Sequence, residues 1–201
     1  MRYGQWLAVF FFLSIGVACS PRDFLTRRLA AALIAGSDTF KTPQQFWLRT
    51  GIISNQDYLS PDYLVLQRRG WITGANVPCS PAVAPPPCWD VALTPLGVET
   101  FRGLIPQNAP VSQYFSVQTA RRELVTVTGI SKNGNLADVD FRWRWVPMNE
   151  LGAALDAGSV EYVSTVLFKS YDDGWRVMNS AGPAKSGQGL EDALKNATPG
   201  P

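Results

Sequence analysis

Asp138–Trp145 alternates at every step: Val139, Phe141, Trp143 and Trp145 take one parity, Asp138, Asp140, Arg142 and Arg144 the other. A period of two is the signature of a half-buried strand, with an apolar face inward and a charged face toward water. Only one of the two faces can be buried without stranding charge. The neighbourhood follows suit. Glu123 to Ile130 alternates and is rich in the β-favouring residues Val125, Thr126, Val127 and Thr128. Asn133-Gly134-Asn135 supplies turn chemistry between the two runs. Pro147 ends the second run, and Asn149 to Leu155 suits a short helix. Val160 to Lys169 is a third strand, turned through Tyr171-Asp172-Asp173-Gly174 into Trp175–Met178. The expectation for this half is an antiparallel β-β-α-β-β unit over residues 111–180. Beyond it, residues 181–201 read as a flexible tail with one helical piece from Leu190 to Leu194.

The first half reads as helical. Phe24, Leu25, Leu29, Ala32 and Leu33 recur at helical spacing between Asp23 and Ala35, and Gly36 stops the run. Thr42-Pro43 and Ser60-Pro61 each carry a cap followed by a proline at the first helical position. The helix opened at Thr42 is expected to carry Phe46 and Trp47 inward and to end before Gly51. The one opened at Ser60 presents Tyr63, Leu64 and Leu66. Trp71-Ile72-Thr73 and Trp89–Leu93 then form a hairpin with a long proline-rich tip, and Thr94-Pro95 opens a last helix. Leu64 to Ile72, a helix running into Gly70-Trp71-Ile72, together with Leu93-Thr94-Pro95-Leu96-Gly97, resembles a winged-helix domain over residues 23–102. The resemblance implies a fold more than a function. Its third helix offers Arg68 and Arg69 as the main basic groups, and the wing carries prolines in place of lysine or arginine. The expected class is α+β: a helical winged-helix-like half over residues 19–103, a linker over 104–110, then the antiparallel sheet half.

The first eighteen residues read as a secretory signal. Arg2 gives a short positive region, Leu7 to Val17 is mostly apolar, and Gly16 and Ala18 are small. The apolar run falls short of the roughly 20 residues that cross a bilayer as a helix. Ile15-Gly16-Val17-Ala18-Cys19 resembles the lipobox of bacterial lipoproteins, although Gly16 stands where a leucine is usual. That resemblance implies lipid attachment at Cys19 and anchoring of the exported chain to the cell envelope, facing the periplasm. Ordinary signal cleavage after Ala18 is the competing reading. With Cys19 assigned to lipid, Cys79 and Cys88 form an even pair around a stiff Ser-Pro-Ala-Val-Ala-Pro-Pro-Pro segment. A disulfide between them suits an oxidising compartment.

Several chemistries are excluded by residue type. The chain has no histidine, and so no Ser-His-Asp arrangement and no mixed cysteine–histidine zinc site. No P-loop and no G-x-S-x-G occurs. A net charge of +2 and an exported address both argue against nucleic acid as a partner. No cofactor, no metal and no catalytic residue is expected. The candidate binding residues are Phe141, Trp143 and Trp145, whose alternative role is simply the buried face of the sheet. The functional expectation is an envelope lipoprotein that serves as a binding or interaction module, reaching the membrane through its lipid and another envelope protein through its folded part. Two rivals are a small-ligand-binding or catalytic domain using a curved sheet, and a membrane-tethered winged-helix regulator.

Overall fold

The computed structural model describes residues 24–79, 86–105, 114–155, 158, 160–180 and 187–200. Along the chain, α1 (Arg27–Gly36) and α2 (Asp38–Lys41) precede β1 (Gln44–Arg49) and β2 (Gly51–Ser54). Next come α3 (Asn55–Tyr58), α4 (Pro61–Arg68), β3 (Ile72–Val77), β4 (Cys88–Leu93) and α5 (Pro95–Thr100). The remainder is β5 (Tyr114–Asn133), β6 (Leu136–Pro147), α6 (Glu150–Ala154), β7 (Glu161–Tyr171), β8 (Gly174–Val177), α7 (Leu190–Lys195) and β9 (Thr198–Pro199). The strands make two antiparallel sheets. One has the order β1-β5-β6-β7-β8, with β9 added beside β7; the other is β2-β4-β3.

The main departure from expectation is β1. The segment after Thr42, read as a helix, is a strand paired along its length with the start of β5. Phe46 and Leu48 are buried while Gln45 and Trp47 are exposed, a period of two. Thr42-Pro43 fits this as well as it fits a helix start, because Thr42 is extended and ends α2 instead of opening another helix. The helical winged-helix-like half is therefore not what the first part of the chain forms. The molecule is mostly antiparallel sheet, and its large sheet curls into a half-barrel that draws strands from both ends of the chain.

Two cores result. The first lies where α1 packs against β5 and β8; Ala30, Ile34 and Phe40 meet Val139, Phe141, Trp143, Val166, Phe168 and Trp175. Thr26 caps α1 through a bond from Leu29 N at 3.1 Å. Ser37 serves both neighbours, donating to Ile34 O at 2.8 Å and accepting from Phe40 N at 3.3 Å. The second core joins the small sheet to the first residues of β5 and to α6: Leu48, Ile53, Tyr63, Leu66, Val91 and Phe101 pack with Phe115, Val117 and Leu151. Strand β5, twenty residues long with register shifts after Leu124 and Val127, thus serves both cores. The C-terminal stretch, expected to be loose apart from one helical piece, also contributes. Leu190, Ala193 and Leu194 of α7 are buried in the first core, and Thr198 pairs with Val163.

Candidate functional site

Of the sequence-predicted sites, Cys19 lies outside the described residues, with the whole signal segment. Cys79 and Cys88 are joined by a disulfide, with Cα atoms 5.3 Å apart, where the β3–β4 hairpin ends. The proline-rich tip at 80–85 lies outside the described residues.

Phe141, Trp143 and Trp145 are brought together, but inside the molecule. Phe141 and Trp143 are fully enclosed, and Trp145 is half-buried beside them. The Trp143 ring stacks on Tyr162 at 4.8 Å and meets the edge of Trp145 at 5.5 Å. Its Nε1–H donates to Ser164 Oγ at 3.0 Å, and Ser164 in turn donates to Ala193 O at 2.8 Å. Arg122 lies over the pair, its guanidinium carbon 4.4 Å from the Trp145 ring centre and 5.5 Å from that of Trp143. Its Nη1 donates to Thr39 O and Thr42 O at 3.0 Å each. Desolvation pulls the Arg122 pKa below the ordinary guanidinium value. These contacts tie α2, β5, β6, β7 and α7 together.

A different set of aromatic side chains faces solvent. On the outer face of the β1–β5 ribbon, Gln45, Trp47 and Arg49 stand opposite Gln118, Ser116 and Tyr114. Trp47 is 59% exposed and Tyr114 61%, although their strand neighbours Phe46, Leu48, Phe115 and Val117 are buried. The arrangement is held in place. Tyr63 from α4 reaches the end of β1, where its hydroxyl accepts from Arg49 N at 2.7 Å and donates to Arg49 O at 2.9 Å. The Arg49 side chain lies 4.9 Å over the Tyr114 ring and 3.7 Å from Asp57. Ser116 Oγ donates to Gln45 Oε1 at 2.8 Å. Strand β1 is the edge of its sheet, so nothing in the sheet lies beyond this ribbon among the described residues.

Helical reading of residues 42–50 hid Trp47, because it placed that ring beside Phe46 on an inward face. The signal that reveals it is the alternation Gln45-Phe46-Trp47-Leu48-Arg49, visible once the segment is read with a strand period. Comparison with family models, characterised proteins and solved structures finds no match to this chain. Among the described residues there is no group of three metal-ligating side chains, and no helix long and apolar enough to cross a membrane.

Proposed function

We propose that the chain is a lipid-anchored component of the bacterial envelope, held through Cys19, that works without catalysis by binding another envelope protein. The observation that carries the reading is the solvent-facing Trp47–Arg49–Tyr114 row on an edge ribbon. Tryptophan, tyrosine and arginine are the residue types that dominate the energetics of protein interfaces. A pre-ordered aromatic also loses little side-chain freedom on binding. The Cys79–Cys88 disulfide supports the exported address, since such bonds persist in oxidising compartments. The lipobox-like segment ending at Cys19 supports the anchor.

Two measurements test it. A photo-crosslinking side chain at position 47 of the full-length protein in cells is expected to give a discrete adduct with one envelope protein, and the same probe at exposed Val125 is expected to give none. Trp47→Ala should lose co-purification of that protein while melting like the parent; equal recovery by Trp47→Ala contradicts the assignment. Separately, Cys19→Ala should abolish labelling by a fatty-acid analogue and release the chain from membranes. Persistent labelling contradicts the anchor.

A further inference from the structure

The first turn of α1 carries charge of the wrong sign for a helix. Arg27 and Arg28 stand exposed there, and that turn holds no acidic residue. Cationic side chains are unfavourable at a helix N-terminus, where the dipole is already positive. Stability of the helix therefore does not account for the pair. Phe24, just ahead of the capping Thr26, is 60% exposed.

Topology brings more of the same chemistry to this end. The α2 end of α1 is fixed near the middle of β5, where Arg122 donates to Thr39 O. From there α1 packs back along β5 and against β8, and Ala30 shares a core with Trp175 of β8. Its first turn thus lies toward the end of the sheet where Lys132, exposed near the close of β5, sits 5.2 Å over the Trp175 ring. In the adjoining hairpin, Lys169 of β7 stands opposite Arg176 of β8. Both reach one ring: the Lys169 ammonium is 5.1 Å and the Arg176 guanidinium 5.0 Å from the centre of Tyr171, which is 41% exposed. The carboxylates of that hairpin turn are Asp172 and Asp173, and Asp173 is paired with Arg176. Asp138 lies further into the sheet, opposite Leu167. Among the described residues, basic groups outnumber acidic ones at this end.

We infer that this end of the large sheet is the membrane-facing pole of the molecule and docks on an anionic phospholipid surface. The inference rests on the lipid anchor at Cys19 proposed above. Only four residues separate Cys19 from Phe24, so the anchor holds the start of α1 within about 17 Å of the lipid glyceryl. Basic side chains that close to a bilayer lie within reach of its negative surface potential. Exposed phenylalanine and tyrosine rings suit the boundary between head groups and acyl chains. The Trp47 face lies toward the other end of β5, at most about 50 Å away along the strand, so docking of this pole turns that face from the bilayer toward a partner.

The test reconstitutes the lipidated protein, purified from cells, into nanodiscs of phosphatidylcholine with or without phosphatidylglycerol, with a nitroxide on the lipid head group as quencher. A fluorophore is placed at this pole through Asn133→Cys, or opposite Trp47 through Ser116→Cys, both exposed positions. With phosphatidylglycerol present, the label at position 133 is expected to be quenched about twofold or more beyond the label at 116, and raising salt from about 0.1 M to about 1 M should remove the difference. Arg27→Glu with Arg28→Glu, and separately Lys169→Gln with Arg176→Gln, should each remove it at low salt. The first pair should melt no lower than the parent, because glutamate suits a helix N-terminus. Retention of the chain on the discs at high salt reports the lipid anchor alone. A chain that washes off carries no lipid and overturns the anchor and this proposal together. A chain that stays with both labels equally quenched, or with quenching indifferent to phosphatidylglycerol or unchanged by either pair of substitutions, overturns this proposal and leaves the anchor intact.

Discussion

Trp47 and Trp143 are the same residue on strands of the same sheet, yet one is 59% exposed and the other 2%. Trp143 fills space under α1 and α7 and donates its indole N–H to Ser164, so truncation leaves a cavity and removes that donor. Trp143→Ala should cost about 3–5 kcal/mol, a large share of an ordinary domain's stability. Trp47→Ala should stay within about 0.5 kcal/mol. Paired urea melts of the two variants check this, and equal midpoints would show that the Trp143 ring is not core. Tyr63 gives a pH-dependent counterpart. Burial raises its phenol pKa above the ordinary 10.0, and the bond with the Arg49 backbone works partly against that shift. Above pH 10 the unfolded chain has released this proton while the folded chain still holds it. Stability therefore falls as pH rises from about 10 toward the folded-state value, and is independent of this group below that window. Tyr63→Phe should lower stability at neutral pH by removing two hydrogen bonds, and should flatten part of the alkaline loss. Urea midpoints at pH 8 and pH 11 for both proteins read this out.

At the scale of elements, periodicity was legible where one face of a strand is charged. The charges of Asp138–Trp145 leave a single way to bury that strand, and the buried residues are Val139, Phe141 and Trp143. Gln44–Arg49 has no such constraint, because its one charge sits at the end and its apolar residues are consecutive. Short apolar runs of this kind suit helix and strand alike until a partner appears. Here the partner is β5, seventy residues on. Docking between elements also overrides propensity. In α5, Gly97 would gain helix propensity as alanine, about 1 kcal/mol. A Cβ there, however, would sit 1.9 Å from Trp71 O, against which the helix is packed. Gly97→Ala should therefore destabilise by about 2–3 kcal/mol, since overpacking forces the backbone apart. Val98→Ala, on the exposed side of the same helix, should stay within about 0.5 kcal/mol. Denaturant midpoints separate the two; an unchanged Gly97→Ala would mean the helix can slide.

For the whole molecule, the C-terminal stretch matters more than its small and polar composition suggests. Leu190 and Leu194 close the core beneath Trp143, and α7 is held by bonds such as Leu190 N to Met178 O at 2.7 Å. A chain ended after Ser180 loses two buried leucines worth about 1.5–3 kcal/mol each. It should melt far below the parent or fail to fold, and it should expose Trp143, seen as a red-shifted tryptophan emission. A truncated chain with the parent's midpoint would mean that α7 contributes little. The Cys79–Cys88 bond acts in the small sheet, where it joins the chain just beyond β3 to the first residue of β4.

What the residues determined alone was local. The alternation from 138 to 145, the Asn133-Gly134 turn and the caps at Thr94 and Asn149 depend on contacts within a few residues, so they can be read in order along the chain. The pairing of two cysteines around a proline-rich loop was legible for the same reason. Tertiary structure decided the rest. It made Gln44–Arg49 an edge strand, turned Trp47 outward and drew α1 and α7 onto one sheet. Each of these depends on a partner many residues away, and no propensity at the position itself carries that information.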